Sequence, residues 1–138
     1  MSVFVDTSGL VAALVATDEA HAAAAEAWER LVRDKEHLVT TNYTISELYA
    51  VMQRRTGIGL LQEVTNNILP LIDTHWVDRE MHERGVTGYL SARRRDLSFV
   101  DHVSFVAMRS LAVTCAFTLD PHFAEQGFEV IPEALPDT

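Results

Sequence analysis

The chain has 138 residues, 48% hydrophobic and 22% charged, and its 11 basic and 20 acidic side chains give a net charge of −9. That length allows one core and is short for two, and the composition excludes a disordered chain. A lone cysteine, Cys115, rules out an internal disulfide and fits a reducing cytoplasm; no basic leader precedes Asp6, and no apolar run reaches the ~20 residues of a membrane span.

In chain order, "SVFV" at 2–5 predicts a buried strand, and "TSGLVAALVA" at 7–16 predicts a helix with Thr7 or Ser8 as its cap. Residues 20–34 are alanine-rich with apolar positions at helical spacing, hence a second helix. "HLVTT" at 37–41 is the next strand. Residues 42–56 predict a helix capped by Asn42 or Thr44 and broken by Gly57 and Gly59; 60–69 predict another, running to Pro70. "IDTHWV" at 72–77 is a third strand, and 79–95 a helix despite Gly85 and Gly88. Residues 97–112 predict a helix with Ser98 as cap, followed by a β-branched and aromatic strand at 113–119 and a short one at 128–131. No repeat, linker or internal boundary divides the chain, so one domain over 1–138 is expected. Strands alternating with helices imply an α/β fold with a mainly parallel sheet covered on both faces.

Four carboxylates interrupt segments that otherwise read as core: Asp6 in "VFVDTSGLV", Glu47 in "YTISELYAV", Asp101 in "LSFVDHVSFV" and Asp120 in "CAFTLDPHF". Burying an unpaired carboxylate costs several kcal/mol, so such a group acquires a partner or a proton. Cations are scarce: Lys35 is the one lysine, and no arginine lies within five positions of Asp6, Glu47 or Asp120. A divalent cation with oxygen preference, Mg²⁺ or Mn²⁺, is the remaining partner. Asp6 closes the first strand and Asp120 follows a late one, and α/β sheets build sites outside the carboxyl ends of their strands. Each acid also has a plain structural reading. Asp6 could be a helix cap, Glu47 a polar-face residue, Asp101 the partner of Ser98 in a capping box, and Asp120 the opening of a turn before Pro121.

The motifs "VDTSGLVAAL", "TTNYTISELYAVM", "DLSFVDHVSFVAM" and "TLDPHFAEQGFEVI", in that order, resemble the PIN-domain nucleases, in particular the VapC-like toxins of bacterial toxin–antitoxin pairs. The resemblance spans nearly the whole chain and implies a three-layer PIN-like sandwich. It places Asp6, Glu47, Asp101 and Asp120 as catalytic, metal-binding acids, with Asp120 at a position that varies and Asp96 as a fifth acid or a surface group. Ser8 and Ser104 fall at the family's small polar positions around the metal. The implied chemistry is Mg²⁺-dependent hydrolysis of RNA phosphodiesters by activated water, with Mn²⁺ as substitute and one or two ions. The implied partners are an RNA substrate, a VapB-like antitoxin and a second copy in a homodimer, with no membrane.

A net charge of −9 argues against a simple basic nucleic-acid surface, although acids that gather divalent cations reverse their local sign. Arg93, Arg94 and Arg95 form the densest positive cluster, read either as complementing a helix C-terminus or as meeting phosphates beside the acids; Arg54 and Arg55 pose the same choice. Other classes compete. A metal-free ribonuclease would use His102 and His122 as acid and base. A receiver domain is rejected, because Asp6 has no acidic neighbour and "CAFTLD" no lysine. A non-toxin RNA-processing nuclease, or a silent module that keeps the fold and only binds, would carry the same pattern.

Overall fold

The computed structural model describes residues 1–133. Five strands, Ser2–Val5 (β1), His37–Thr41 (β2), Asp73–His75 (β3), Cys115–Phe117 (β4) and Glu129–Ile131 (β5), form one sheet in the order β3-β2-β1-β4-β5. Every neighbouring pair is parallel, so the expected mainly parallel sheet is wholly parallel among the described residues. β1 lies at the centre, with Val3 opposite both Leu38 and Cys115 and Val5 opposite Phe117. Its unbroken apolar run follows from that place, since a central parallel strand is covered on both faces.

Side chains alternate across a strand, so β1 feeds two cores. Val3 and Val5 face the layer made by Thr7–Leu14 (α1), His21–Arg33 (α2) and Asn42–Thr56 (α3), where Trp28 tilts onto Phe117. Phe4 faces the other layer, built on Arg79–Ala92 (α5), Phe99–Ser110 (α6) and Pro121–Glu125 (α7), and meets Phe123 there. Burying each such aromatic contributes about 1.5–3 kcal/mol. α1 lies close on the sheet: a Cβ at Gly9 would stand 2.8 Å from the Phe117 carbonyl oxygen, so only glycine fits.

The capping expectations change in detail. α1 has Asp6, not Thr7 or Ser8, at its N-cap position, and Asp6 makes no side-chain cap bond. α3 is capped by Thr41, whose hydroxyl accepts from Thr44 N, while Asn42 Oδ1 accepts from Val77 N at 2.7 Å. Gly57 ends α3 in the left-handed region (φ 80°), but Gly59 lies inside the short helix Ile58–Glu63 (α4). The helix expected to run to Pro70 gives way to a π-helical turn at Val64–Ile68 and a 3₁₀ turn at Leu69–Leu71, where proline offers no N–H. α7 lies in a stretch for which no helix was expected. No described helix is long and apolar enough to cross a membrane.

Candidate active site

Because all five strands are parallel, their carboxyl ends leave one edge of the sheet. The strand order reverses direction between β1 and β4, and a crevice at such a switch point is where α/β sheets hold ligands. Asp6 and Asp120 follow those two strands. Asp6 continues the ladder through its N–H to Phe117 O at 3.0 Å, which carries its side chain in with the strand. It is 4% exposed. Its Oδ2 accepts from Ser8 Oγ at 2.7 Å and from Thr118 Oγ1 at 2.8 Å, while Oδ1 accepts no hydrogen bond among the described residues. Burial pushes the Asp6 carboxyl up to about 6; the two hydroxyls restrain the rise, and the charges of Asp101 and Glu47 add to it.

Ser8 is thus placed against Asp6, and it also accepts from Leu119 N at 3.0 Å. Thr118, which the sequence reading passed over, bridges Asp6 Oδ2 and Asp120 N, the latter at 3.0 Å. The signal was a hydroxyl two residues before an acid at a strand end.

Glu47 is half-buried on α3. The first turn of that helix is tied to the end of β1 by Thr7 Oγ1, which donates to Thr44 O at 3.3 Å. Asp101 sits in the first turn of α6 as half of a capping box: its Oδ2 accepts from Ser98 N at 2.9 Å and its N–H donates to Ser98 Oγ. Burial pushes this carboxyl up, the Ser98 N–H pulls it part of the way back, and the charge of Asp120 raises it further. The capping-box reading of Asp101 is therefore what the structure shows. The four acids are linked electrostatically, since Asp6 feels Asp101 and Glu47, and Asp101 feels Asp120.

Asp120 caps α7, its Oδ1 accepting from His122 N at 2.9 Å and lying 2.6 Å from His122 Nδ1. His122 Nε2 stands 3.1 Å from Asp96 Oδ2, so both ring nitrogens face carboxylates, the arrangement of a charged imidazolium. Burial pulls the His122 ring down, and Asp120 and Asp96 outweigh it and lift it above the usual histidine range. Asp96 in turn takes the Arg94 guanidinium on both oxygens, and Arg94 also pairs with Glu125. Arg94 is thereby spent on carboxylates, while Arg93 and Arg95 are exposed and in no ion pair among the described residues. Arg55 pairs with Asp18 at 3.1 Å.

The remaining candidates lie apart from the acids' hydrogen bonds. Ser104 is fully buried and its hydroxyl has no partner among the described residues. His102 packs between Tyr89 and Phe105 with Nε2 unpartnered, and burial pulls its ring below the usual range, toward the neutral form. At 8% exposure between two aromatic rings, His102 offers a substrate little access.

The donor set suits a hard divalent ion. Asp6, Glu47 and Asp101 take part in no ion pair among the described residues, and their oxygens are the ligand type Mg²⁺ and Mn²⁺ prefer. No three His, Cys, Asp or Glu side chains among the described residues already stand close enough together to hold an ion. Asp101 turns to the Ser98 N–H and Asp120 to His122, as like charges do when local partners are at hand.

A family model described as "PIN domain" matches residues 3–129. The chain is 28% identical over 133 residues to the 23S rRNA-specific endonuclease VapC20 of Mycobacterium tuberculosis, in strains CDC 1551 / Oshkosh and ATCC 25618 / H37Rv. The match covers 95% of this chain and 99% of each relative. The crystal structure of M. tuberculosis VapC20, described as a sarcin-ricin loop cleaving toxin, superposes with a TM-score of 0.78 at 27% identity, over 91% of this chain and 95% of that one.

Proposed function

The chain belongs to the PIN-domain family, and from that premise we propose that it is a Mg²⁺-dependent endoribonuclease, the VapC-type toxin of a toxin–antitoxin pair. The observation that carries the reading is Asp6: a carboxylate buried at the switch point of the sheet, held by two hydroxyls and given no cation. A protein keeps an uncompensated charge in such a place only if something else compensates it in use.

In this reading Asp6, Glu47, Asp101 and Asp120 hold the ion. When bound, Mg²⁺ supplies a water of lowered pKa and neutralises charge on the scissile phosphate. The chain's own residues do the rest. Ser8 and Thr118 fix the Asp6 carboxylate by its Oδ2 and leave Oδ1 for the ion. Thr118 also holds the Asp120 backbone, so one hydroxyl sets the spacing of two acids. Arg93 and Arg95 are free to meet phosphates. Ribosomal RNA is the first substrate to try, because the relatives named above act on 23S rRNA. A VapB-like antitoxin and a second copy of the chain are the expected protein partners.

The test is induced expression in a bacterial host beside Asp101→Asn at equal level, with the purified proteins then incubated with 23S rRNA. Growth arrest and cleavage by the wild type, lost in the variant and in EDTA, are expected, with 5′-phosphate ends. Cleavage that survives chelation and leaves cyclic phosphates would return the histidines to the reaction, and toxicity of both proteins would mean binding rather than hydrolysis.

A further inference from the structure

We propose that Trp76 is a stacking platform for a base of the RNA, beside the acids on the same edge of the sheet. This inference rests on the nuclease reading above and extends it to how the substrate is held.

Trp76 is 73% exposed, the most exposed large apolar side chain among the described residues, and no aromatic ring packs on it. It follows β3 directly, so it leaves the sheet at the same edge as Asp6 and Asp120. β3 is two strands from β1, about 10 Å at the usual strand spacing. A single strand with a phosphate at the acids reaches that far with a neighbouring base.

The backbone that presents the indole is fixed on both sides. His75 pairs with Thr41 in the sheet, Val77 N donates to Asn42 Oδ1 at 2.7 Å, and Asp78 caps α5 by accepting from Met81 N at 2.8 Å. Such an anchored and exposed indole is pre-organised for a partner, because ordering the loop costs nothing further on binding. Its place on the acids' edge of the sheet makes the substrate RNA the fitting partner. With 11 basic against 20 acidic residues the chain as a whole repels a phosphate backbone, so affinity has to come from contacts such as stacking on a π-face, which does not depend on charge. Arg79, three residues along and exposed, is in no ion pair among the described residues.

The two tryptophans give a direct readout, because Trp28 is buried against Phe117 and Trp76 is open. The full chain carrying Asp101→Asn, in Mg²⁺, is titrated with a single-stranded RNA of about ten nucleotides. Saturable quenching of indole emission is expected. With Trp76→Phe added the quench disappears while most of the affinity stays, because a phenyl ring also stacks. Trp76→Ala weakens binding about tenfold and, in the otherwise wild-type chain, raises KM by a similar factor at unchanged kcat.

Unchanged RNA affinity in Trp76→Ala overturns the inference. So does a variant that binds RNA normally but sediments as a smaller species, which would assign the indole to a contact between copies. If the wild type cleaves RNA and Trp76→Ala does so with the same KM, stacking alone fails. If no version binds or cleaves RNA, the nuclease reading fails with it.

Discussion

Two groups of acids lie within one small region and are treated in opposite ways. Around α7, Asp120, His122, Asp96, Arg94 and Glu125 alternate in sign, and the charges are answered by neighbours at the surface. At the end of β1, Asp6 is buried, held by hydroxyls alone and raised to about 6. The first group is a clasp that ties the loop before α6 to α7. The second is a cost the fold carries without an internal return. What separates them is compensation, not acidity, and Asp120 belongs to both.

The contrast implies that substitution separates activity from stability. Asp6→Asn keeps the shape and its hydroxyl partners while removing the charge, and we expect it to lower RNA cleavage about a hundredfold or more. The same change should stabilise the metal-free protein. A carboxyl that titrates near 6 instead of near 4 costs the folded state about 3 kcal/mol at neutral pH. The sign follows from the folded form binding the proton more tightly. The cost is complete above pH 6, shrinks as pH falls toward 4, and is absent below. Denaturant melts of both proteins should therefore differ by about 3 kcal/mol at pH 7.5 and converge near pH 4; a variant less stable at pH 7.5 would break the comparison.

The next effect is metal linkage. Mg²⁺ at a hundred times its dissociation constant should add about 2.7 kcal/mol to the wild type, read as a rise in melting temperature, and much less to Asp6→Asn. The smallest effect belongs to the clasp. Arg94→Ala should shift melting only slightly, and that shift should fade in high salt, because exposed ion pairs contribute little and are screened. A large, salt-insensitive loss would mean that the clasp is part of the core.

The fold was legible because its signals are local. Runs such as Val3-Phe4-Val5 and Cys115-Ala116-Phe117 declare strands covered on both faces, and Ser98 with Asp101 declares a helix start that the structure reproduces. The acids stood out for a related reason, a charge set in an apolar context. Caps were less legible where tertiary partners competed. Asn42 is a good capping residue in isolation, but Val77 N claims its side chain and leaves the role to Thr41. α7 has five residues, too few to show a period, and its proline read as a turn. Thr118 offered only a weak local signal, because its partner Asp6 lies 112 positions earlier.

That separation has a consequence in time. β1 has its first partner in β2, which comes from the first third of the chain, but Asp6 acquires the Phe117 carbonyl and the Thr118 hydroxyl only when β4 arrives. Pairings so distant form late, because the loop between them must close first. A chain still being made on the ribosome therefore carries Asp6 without its seat until Cys115–Phe117 and Thr118 have been added.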